Sequence, residues 1–267
     1  MNGIAYNKAV ELAMETPCIH NNKKYKVKDF INDEVFIAFY YDLNDLNIYY
    51  QTPYVQMCMN SWRKVYPSMK LLYIQVNYMA SVYTQQALAF GKRNYPTDSL
   101  RVLFCSLFKK AIYLDTDVYL TRPIQVRQSD DWPKVMVINQ CSGTCLYSNN
   151  VNSHALKRWF EWYESKALDK IEENLSKGIE PMLYTSDIES FIAMNGVIPN
   201  STQPINHFSM IYPLVRDKVH FKIIDTLDPN TNTKFDKECK PAFLQYLKDR
   251  GYEDLVDENA EIAISFI

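Results

Sequence analysis

KKAIYLDTDVYLTRP, residues 109–123, decides how the chain folds. Ala111, Ile112, Tyr113 and Leu114 form an unbroken apolar run, the pattern of a buried strand. The run passes straight into Asp115-Thr116-Asp117. In an open α/β sheet, ligands collect at the carboxyl ends of strands. Two carboxylates one residue apart are costly unless a positive charge sits between them, and a divalent cation meets that need. Mg²⁺ and Mn²⁺ prefer oxygen ligands and bridge carboxylates to substrate phosphates. The expectation is an acidic pair that holds a metal ion and, through it, a diphosphate.

Working outward, residues 34–41, EVFIAFYY, read as an earlier strand that ends in aromatics and is followed by Asp42. The first strand of a nucleotide-binding α/β domain commonly ends at the base or ribose, which makes Tyr40, Tyr41 and Asp42 candidates for that contact. A core strand closed by a turn aspartate is the alternative. Residues 52–65 have helical spacing, with Val55, Met59 and Trp62 on one face, Thr52 as N-cap and Pro53 in the first helical position. Residues 69–76, MKLLYIQV, read as a second strand, and residues 83–90 as a helix ending near Gly91. The next helix opens at Pro96 and runs to about Phe108. It carries Asp98 and Arg101, three apart and so on one face, where an ion pair is the simplest reading.

Beyond the acidic pair, Thr121-Arg122-Pro123 turns the chain. Residues 134–139 read as a strand and residues 143–147 as a short one. Residues 153–166 form an amphipathic helix whose Trp159 and Trp162 belong to the core, and residues 169–180 a solvated helix or loop. A further helix begins around Tyr184, with Ser186 as N-cap and Glu189 placed for a capping box. PINHFSMIYP, containing His207, reads as a loop, and KVHFKII, containing His220, as a strand. The tail reads as a helix near residues 241–248 and a final apolar EIAISFI.

The 267 residues, 47% of them hydrophobic, can bury a substantial core. With a net charge of −2, nothing suggests a nucleic-acid binder driven by phosphate contacts. The 20 tyrosines could suit sugar stacking, but codon bias or ordinary core use is the preferred reading. MNGIAYNKAV lacks a long apolar leader, so the six cysteines are expected as reduced thiols of a cytoplasmic protein. Cys141 and Cys145 have the look of half a zinc site, but no second pair follows. No apolar run is long enough to span a bilayer. The rest of residues 1–33 is mixed and polar. Lys23, Lys24, Lys26 and Lys28 form a basic patch, read as a solvated edge, with peripheral contact to anionic membrane headgroups as the alternative.

The order of these parts resembles the retaining nucleotide-sugar glycosyltransferases of family 32, with a secondary similarity to family 8. The likeness rests on a D-x-x-R helix, Asp98 to Arg101, followed by a YLDxD strand, Tyr113 to Asp117, with Pro123 behind it. NHFSMIYPL, residues 206–214, is similar to the F-x-P segment after a late strand of family 32. The chain departs from that pattern at Lys109-Lys110, where family 32 has Gly-Gly. It has no Ser-Trp after His220 and no HxxGxxKPW of family 8.

The resemblance implies a GT-A fold, α/β with a mixed central sheet and C-terminal helical or irregular additions. One domain over residues 1–267 would comprise a nucleotide-sugar half (34–140), an acceptor half (141–224) and an extension (225–267). It implies that Asp117 ligates Mn²⁺ or Mg²⁺ directly and that Asp115 contacts ribose and metal. Asp98 and Arg101 would hold donor-sugar hydroxyls. Asp187 and Glu189 would stand near the anomeric carbon as catalytic groups, and His220, or else His207, would be the late metal ligand. The activity implied is transfer of a hexose, UDP-linked by first expectation, to a glycan acceptor with retention. Two rivals remain. A haloacid-dehalogenase-like phosphatase also ends a strand in DxD, but it wants Thr or Val where Tyr119 stands. A non-catalytic nucleotide-sugar-binding protein is the other.

Overall fold

The computed structural model describes residues 2–42, 53–75, 78–89, 98–116, 118–120, 135–138, 145–148, 154–178, 197–200, 205–211, 218–224 and 262–266. In chain order the elements are α1 (Tyr6–Met14), β1 (Pro17–His20), β2 (Lys23–Lys26), β3 (Ile37–Asp42), α2 (Pro53–Val65), β4 (Lys70–Gln75), α3 (Val82–Ala89) and α4 (Asp98–Cys105). There follow β5 (Ala111–Leu114), β6 (Val118–Leu120), β7 (Val135–Ile138), β8 (Cys145–Ser148), α5 (His154–Trp162) and a π-helical turn (Tyr163–Ala167). The chain continues with α6 (Leu168–Ser176), β9 (Val197–Asn200), β10 (Ile205–Ile211), β11 (Lys218–Ile224) and β12 (Ile262–Phe266). It is an α/β chain whose described strands form two sheets, grouped in two compact units. One comprises Met1–Asn44, Ser68–Leu114 and Gln128–Asn200; the other comprises Asp45–Pro67, Asp115–Arg127 and Ser201–Ile267.

The first unit is built on a mixed sheet ordered β2-β1-β4-β3-β5-β8-β7-β9. Its centre is parallel: β3 pairs β4 with Tyr40 beside Tyr73, and pairs β5 with Phe39 beside Tyr113. All four residues of β5 are buried, which is why its sequence lacks the alternation of a half-solvated strand. Every residue of α4 is buried too. Phe104 and, just past the helix, Phe108 meet Phe39 at ring-centroid distances of 5.9 and 6.0 Å. Burying each such ring stabilises by about 1.5–3 kcal/mol, so these contacts fix α4 to β3.

The first thirty-odd residues are a structured layer, which corrects their reading as merely mixed and polar. Tyr6, Ala9 and Ala13 recur at helical spacing, and that face of α1 is buried. Asn21 and Asn22 both have positive φ, 49° and 62°, the backbone of a two-residue hairpin turn that Asn tolerates better than most residues. The lysine patch is the exposed edge expected of it: Lys23, Lys24, Lys26 and Lys28 are all exposed, and β2 ends the sheet. Lysines on an edge strand oppose pairing with another chain.

Lys26 and Lys28 each place Nζ 2.7 Å from the Glu15 carboxylate. Hydrogen bonds from the two lysines hold the Glu15 carboxyl at about 2, well below its ordinary value. A depressed folded-state pKa contributes stability above the unfolded carboxyl value, lost as pH falls toward the folded one. The gap in urea midpoint between wild type and Glu15→Gln is therefore expected at neutral pH and should close as pH falls from about 4 toward 2. Because the pair is exposed, salt should narrow the gap as well.

The amphipathic helix expected at 153–166 and the helix or loop expected at 169–180 form one continuous helical run, α5, the π turn and α6. It ends as a helix should: Gly178, at φ +67°, donates its N–H to the Leu175 carbonyl at 3.0 Å. Strands appear where expected around residues 134–139 and 143–147, and β7 and β8 pair antiparallel.

The second unit holds a sheet ordered β12-β10-β11-β6. β10 runs antiparallel to β11 and to β12, and β6 runs parallel to β11. β10 corrects the reading of PINHFSMIYP as a loop, because partners on both sides supply a strand that its prolines and polar residues disguise. The apolar tail supplies β12. Helix α2 begins at Pro53 as expected, a proline at the first position giving up only an N–H that the helix cannot use. Among the described residues, no helix is long and apolar enough to cross a membrane.

Candidate functional site

β4 follows β3 on one side and β5 returns on the other, so the chain reverses its travel across the sheet at β3 and β5. The crevice outside the carboxyl ends at such a reversal is where open α/β sheets take ligands. Both stretches singled out in the sequence end at these strands. Tyr40, Tyr41 and Asp42 close β3, and Asp115 follows Leu114, the last residue of β5.

Tyr40 is half-buried and stacks on Tyr73 of β4, with centroids 4.9 Å apart and planes 30° apart. The backbones of Tyr41 and Asp42 continue β3, while their side chains lie outside the described residues. Asp115 is half-buried. Its carbonyl accepts the Val118 N–H at 2.9 Å, which closes a four-residue turn directly before β6. Asp117 lies outside the described residues, as do Asp187, Glu189, the helix expected from Tyr184 and the one near residues 241–248. His220 is in β11, paired with Ser209 of β10, and His207 is paired with Lys222. Both belong to the second unit, and their side chains lie outside the described residues.

Asp98 and Arg101 come together as an ion pair, Nη2 to Oδ1 2.6 Å, with side chains 3% and 9% exposed. The guanidinium also lies over the Tyr113 ring of β5, 4.7 Å from its centroid. A buried pair of this kind is costly to break, because either charge alone would be left in a poorly solvated place. Any sugar hydroxyl bound here would have to reach groups that the fold nearly covers.

Behind this pair lies a polar cluster that the sequence reading missed. The π turn of Tyr163–Ala167 directs Glu164 inward. Its Oε1 accepts from Ser81 Oγ at 2.5 Å and from the Tyr83 N–H at 3.3 Å. Its Oε2 accepts from the Val82 N–H at 3.0 Å and the Ile4 N–H at 3.1 Å. Ser81 Oγ in turn lies 2.6 Å from Ser99 Oγ, and Ser99 Oγ lies 3.1 Å from Thr84 Oγ1. Glu164 thus satisfies the first N–H groups of α3 while Ser81, accepting from Thr84 N–H at 3.1 Å, acts as its N-cap. Burial pushes the Glu164 carboxyl above its usual range, and the hydrogen bonds from Ser81, Ile4, Val82 and Tyr83 oppose that push. Burial likewise pushes the neighbouring Tyr163 phenol far up; the Asp98 carboxylate adds to this and Arg101 opposes it. A capping carboxylate supplied from so far along the chain leaves no local signature. The readable trace was only a charged residue on the apolar side of an amphipathic helix.

Carboxylate oxygens at the end of β5 are the donor set a hard divalent cation prefers, and a half-buried Asp115 gives such an ion partial shelter from water. Among the described residues, no three His, Cys, Asp or Glu side chains converge into a complete metal cage. Cys18, Cys58 and Cys105 are buried and in no disulfide; burial pushes the Cys18 thiol up to about 12 and the Cys105 thiol further still, which disfavours both as thiolate ligands. No family model matches the chain, and no curated protein or solved structure matches it.

Proposed function

We propose that the chain is a metal-dependent glycosyltransferase of the GT-A type. It moves a hexose from a nucleotide-diphosphate sugar, UDP-linked by first expectation, to a glycan with retention of configuration. The observation that carries this reading is the run of β5 into Asp115 and the acidic turn, next to the reversal of strand order that flanks β3. The sequence resemblance to families 32 and 8 supplies the chemistry, and the position of these residues in the sheet suits it.

Asp115 and Asp117 offer oxygen ligands to Mn²⁺ or Mg²⁺, with His220 as a late third ligand. Such an ion, when bound, supplies Lewis-acid neutralisation of the departing diphosphate. Tyr40, Tyr41 and Asp42 receive the base and ribose. Arg101 and Asp98, held rigid by each other and by Tyr113, offer the ends of their side chains to the donor sugar. Asp187 or Glu189 stabilises the oxocarbenium-like state and positions the acceptor hydroxyl for attack on the face the diphosphate leaves.

A thermal-shift panel of nucleotide sugars with and without Mn²⁺ tests this. A rise in melting temperature that is larger with both components than with either alone is expected, since a ligand at about a hundred times its Kd adds roughly 2.7 kcal/mol to the folded state. No rise with any nucleotide sugar, together with phosphate release from phosphomonoesters, would replace the reading with a phosphatase.

A further inference from the structure

The acidic turn is held from its far side. Among the described residues, β6, which begins one residue after Asp117, is an end strand of its sheet and pairs with β11. In a strand, alternate residues turn their backbone groups to opposite edges. Val118 and Leu120 therefore share the edge away from one partner while Tyr119 faces the other way. That outer edge is closed by two consecutive side chains of α2. Trp62 donates its indole N–H to the Val118 carbonyl at 2.6 Å, and Ser61 Oγ accepts the Leu120 N–H at 2.9 Å. Ser61 donates its own proton to the Cys58 carbonyl at 2.5 Å. Trp62 and Val118 are fully buried, with Ser61 and Leu120 nearly so.

Val118 is thus fixed at both ends of its peptide groups. Its N–H closes the turn onto Asp115, and its carbonyl is gripped by Trp62. We infer that Trp62 is a positioning residue for the acidic turn: its indole N–H, by holding Val118, fixes the residue that closes the turn onto Asp115, and with it the placement of the carboxylate that Asp115 offers to a divalent cation. The inference rests on the metal reading given above. A hydrophobic role alone would ask only for a large flat side chain in this place. The 2.6 Å hydrogen bond to the residue that closes the turn is what goes beyond it. Groups that orient metal ligands without touching the metal typically change its affinity 10- to 100-fold when removed.

The test compares wild type with Trp62→Phe, which keeps an aromatic ring and removes the donor. Direct Mn²⁺ binding is read from the EPR signal of the free ion, with no nucleotide or acceptor present, beside melting curves taken in chelator. The expected result is an Mn²⁺ Kd raised about 10-fold in a variant that still melts cooperatively in chelator. Ser61→Ala, which releases Leu120 and leaves the indole in place, is the second probe. It is expected to weaken Mn²⁺ binding less than Trp62→Phe, and it stands in for that variant should the latter not fold. A wild type that binds Mn²⁺ while the folded variants bind it equally well would overturn the positioning role and leave the metal reading intact. A wild type that binds no Mn²⁺ would overturn both.

Discussion

Replacing Glu164 by alanine is expected to lower the free energy of unfolding by about 3–5 kcal/mol, a large share of the roughly 5–15 kcal/mol of a typical domain. The arithmetic follows from what the carboxylate touches. Three backbone N–H groups, of Ile4, Val82 and Tyr83, lose their acceptor at once, and Ser81 loses one of its partners. An orphaned buried donor costs about 1–3 kcal/mol, and water reaches the part-buried Ile4 and Val82 more readily than Tyr83. Glu164→Gln keeps the volume but turns an acceptor into a donor among donors, so it should fall between wild type and alanine. A urea titration with unchanged slope measures both. An alanine variant within about 1 kcal/mol of wild type would mean that solvent reaches this cluster freely, against its burial.

Asp117→Asn is expected to cut metal-dependent turnover of the nucleotide sugar by about 10²-fold or more, the scale of losing one group aimed at developing charge. Its melting curve in chelator should match that of wild type. The contrast with Glu164 is the point of the pair. One substitution removes stability and, where the protein remains folded, leaves the metal requirement unaltered. The other does the reverse. Donor hydrolysis measured against Mn²⁺ concentration separates them, and a fully active Asp117→Asn protein would remove the chemical core of the proposal.

The central strands were legible because they are buried. FIAFYY, KLLYIQ and AIYL are apolar runs that no solvated element of that length would carry, and β3, β4 and β5 fall within a few residues of where those runs stand. Pro53 was legible for a different reason, since a missing N–H is harmless only at a helix start. β6 was not: three residues are too few to show a period, and the strand is defined by β11 on one edge and by Trp62 and Ser61 on the other. Trp62 itself was visible as part of an apolar face, but the acceptor for its N–H lies 56 residues along the chain. The Asn21-Asn22 hairpin carried a readable turn signal in HNNK, masked by a following strand of mostly lysine, KKYK. For the site, the spacing of Asp98 and Arg101 gave their ion pair, whereas its burial against Tyr113 required the sheet.

The anchoring of residues 3 and 4 has an implication for how the protein is made. A Cβ at Gly3 would sit 1.8 Å from the Glu164 carbonyl oxygen, so glycine alone permits that approach, and the Ile4 N–H finds its acceptor 160 residues downstream. At a ribosomal pace of about 5–20 residues per second, Ile4 waits roughly ten to thirty seconds for its docking partner to be synthesised. During that interval Ile4 has no Glu164 carboxylate to bind and Tyr6 of α1 has no Phe160 ring to pack against. Nascent chains halted before residue 164 should therefore engage holding chaperones through their first helix, and chains halted well past it should release them.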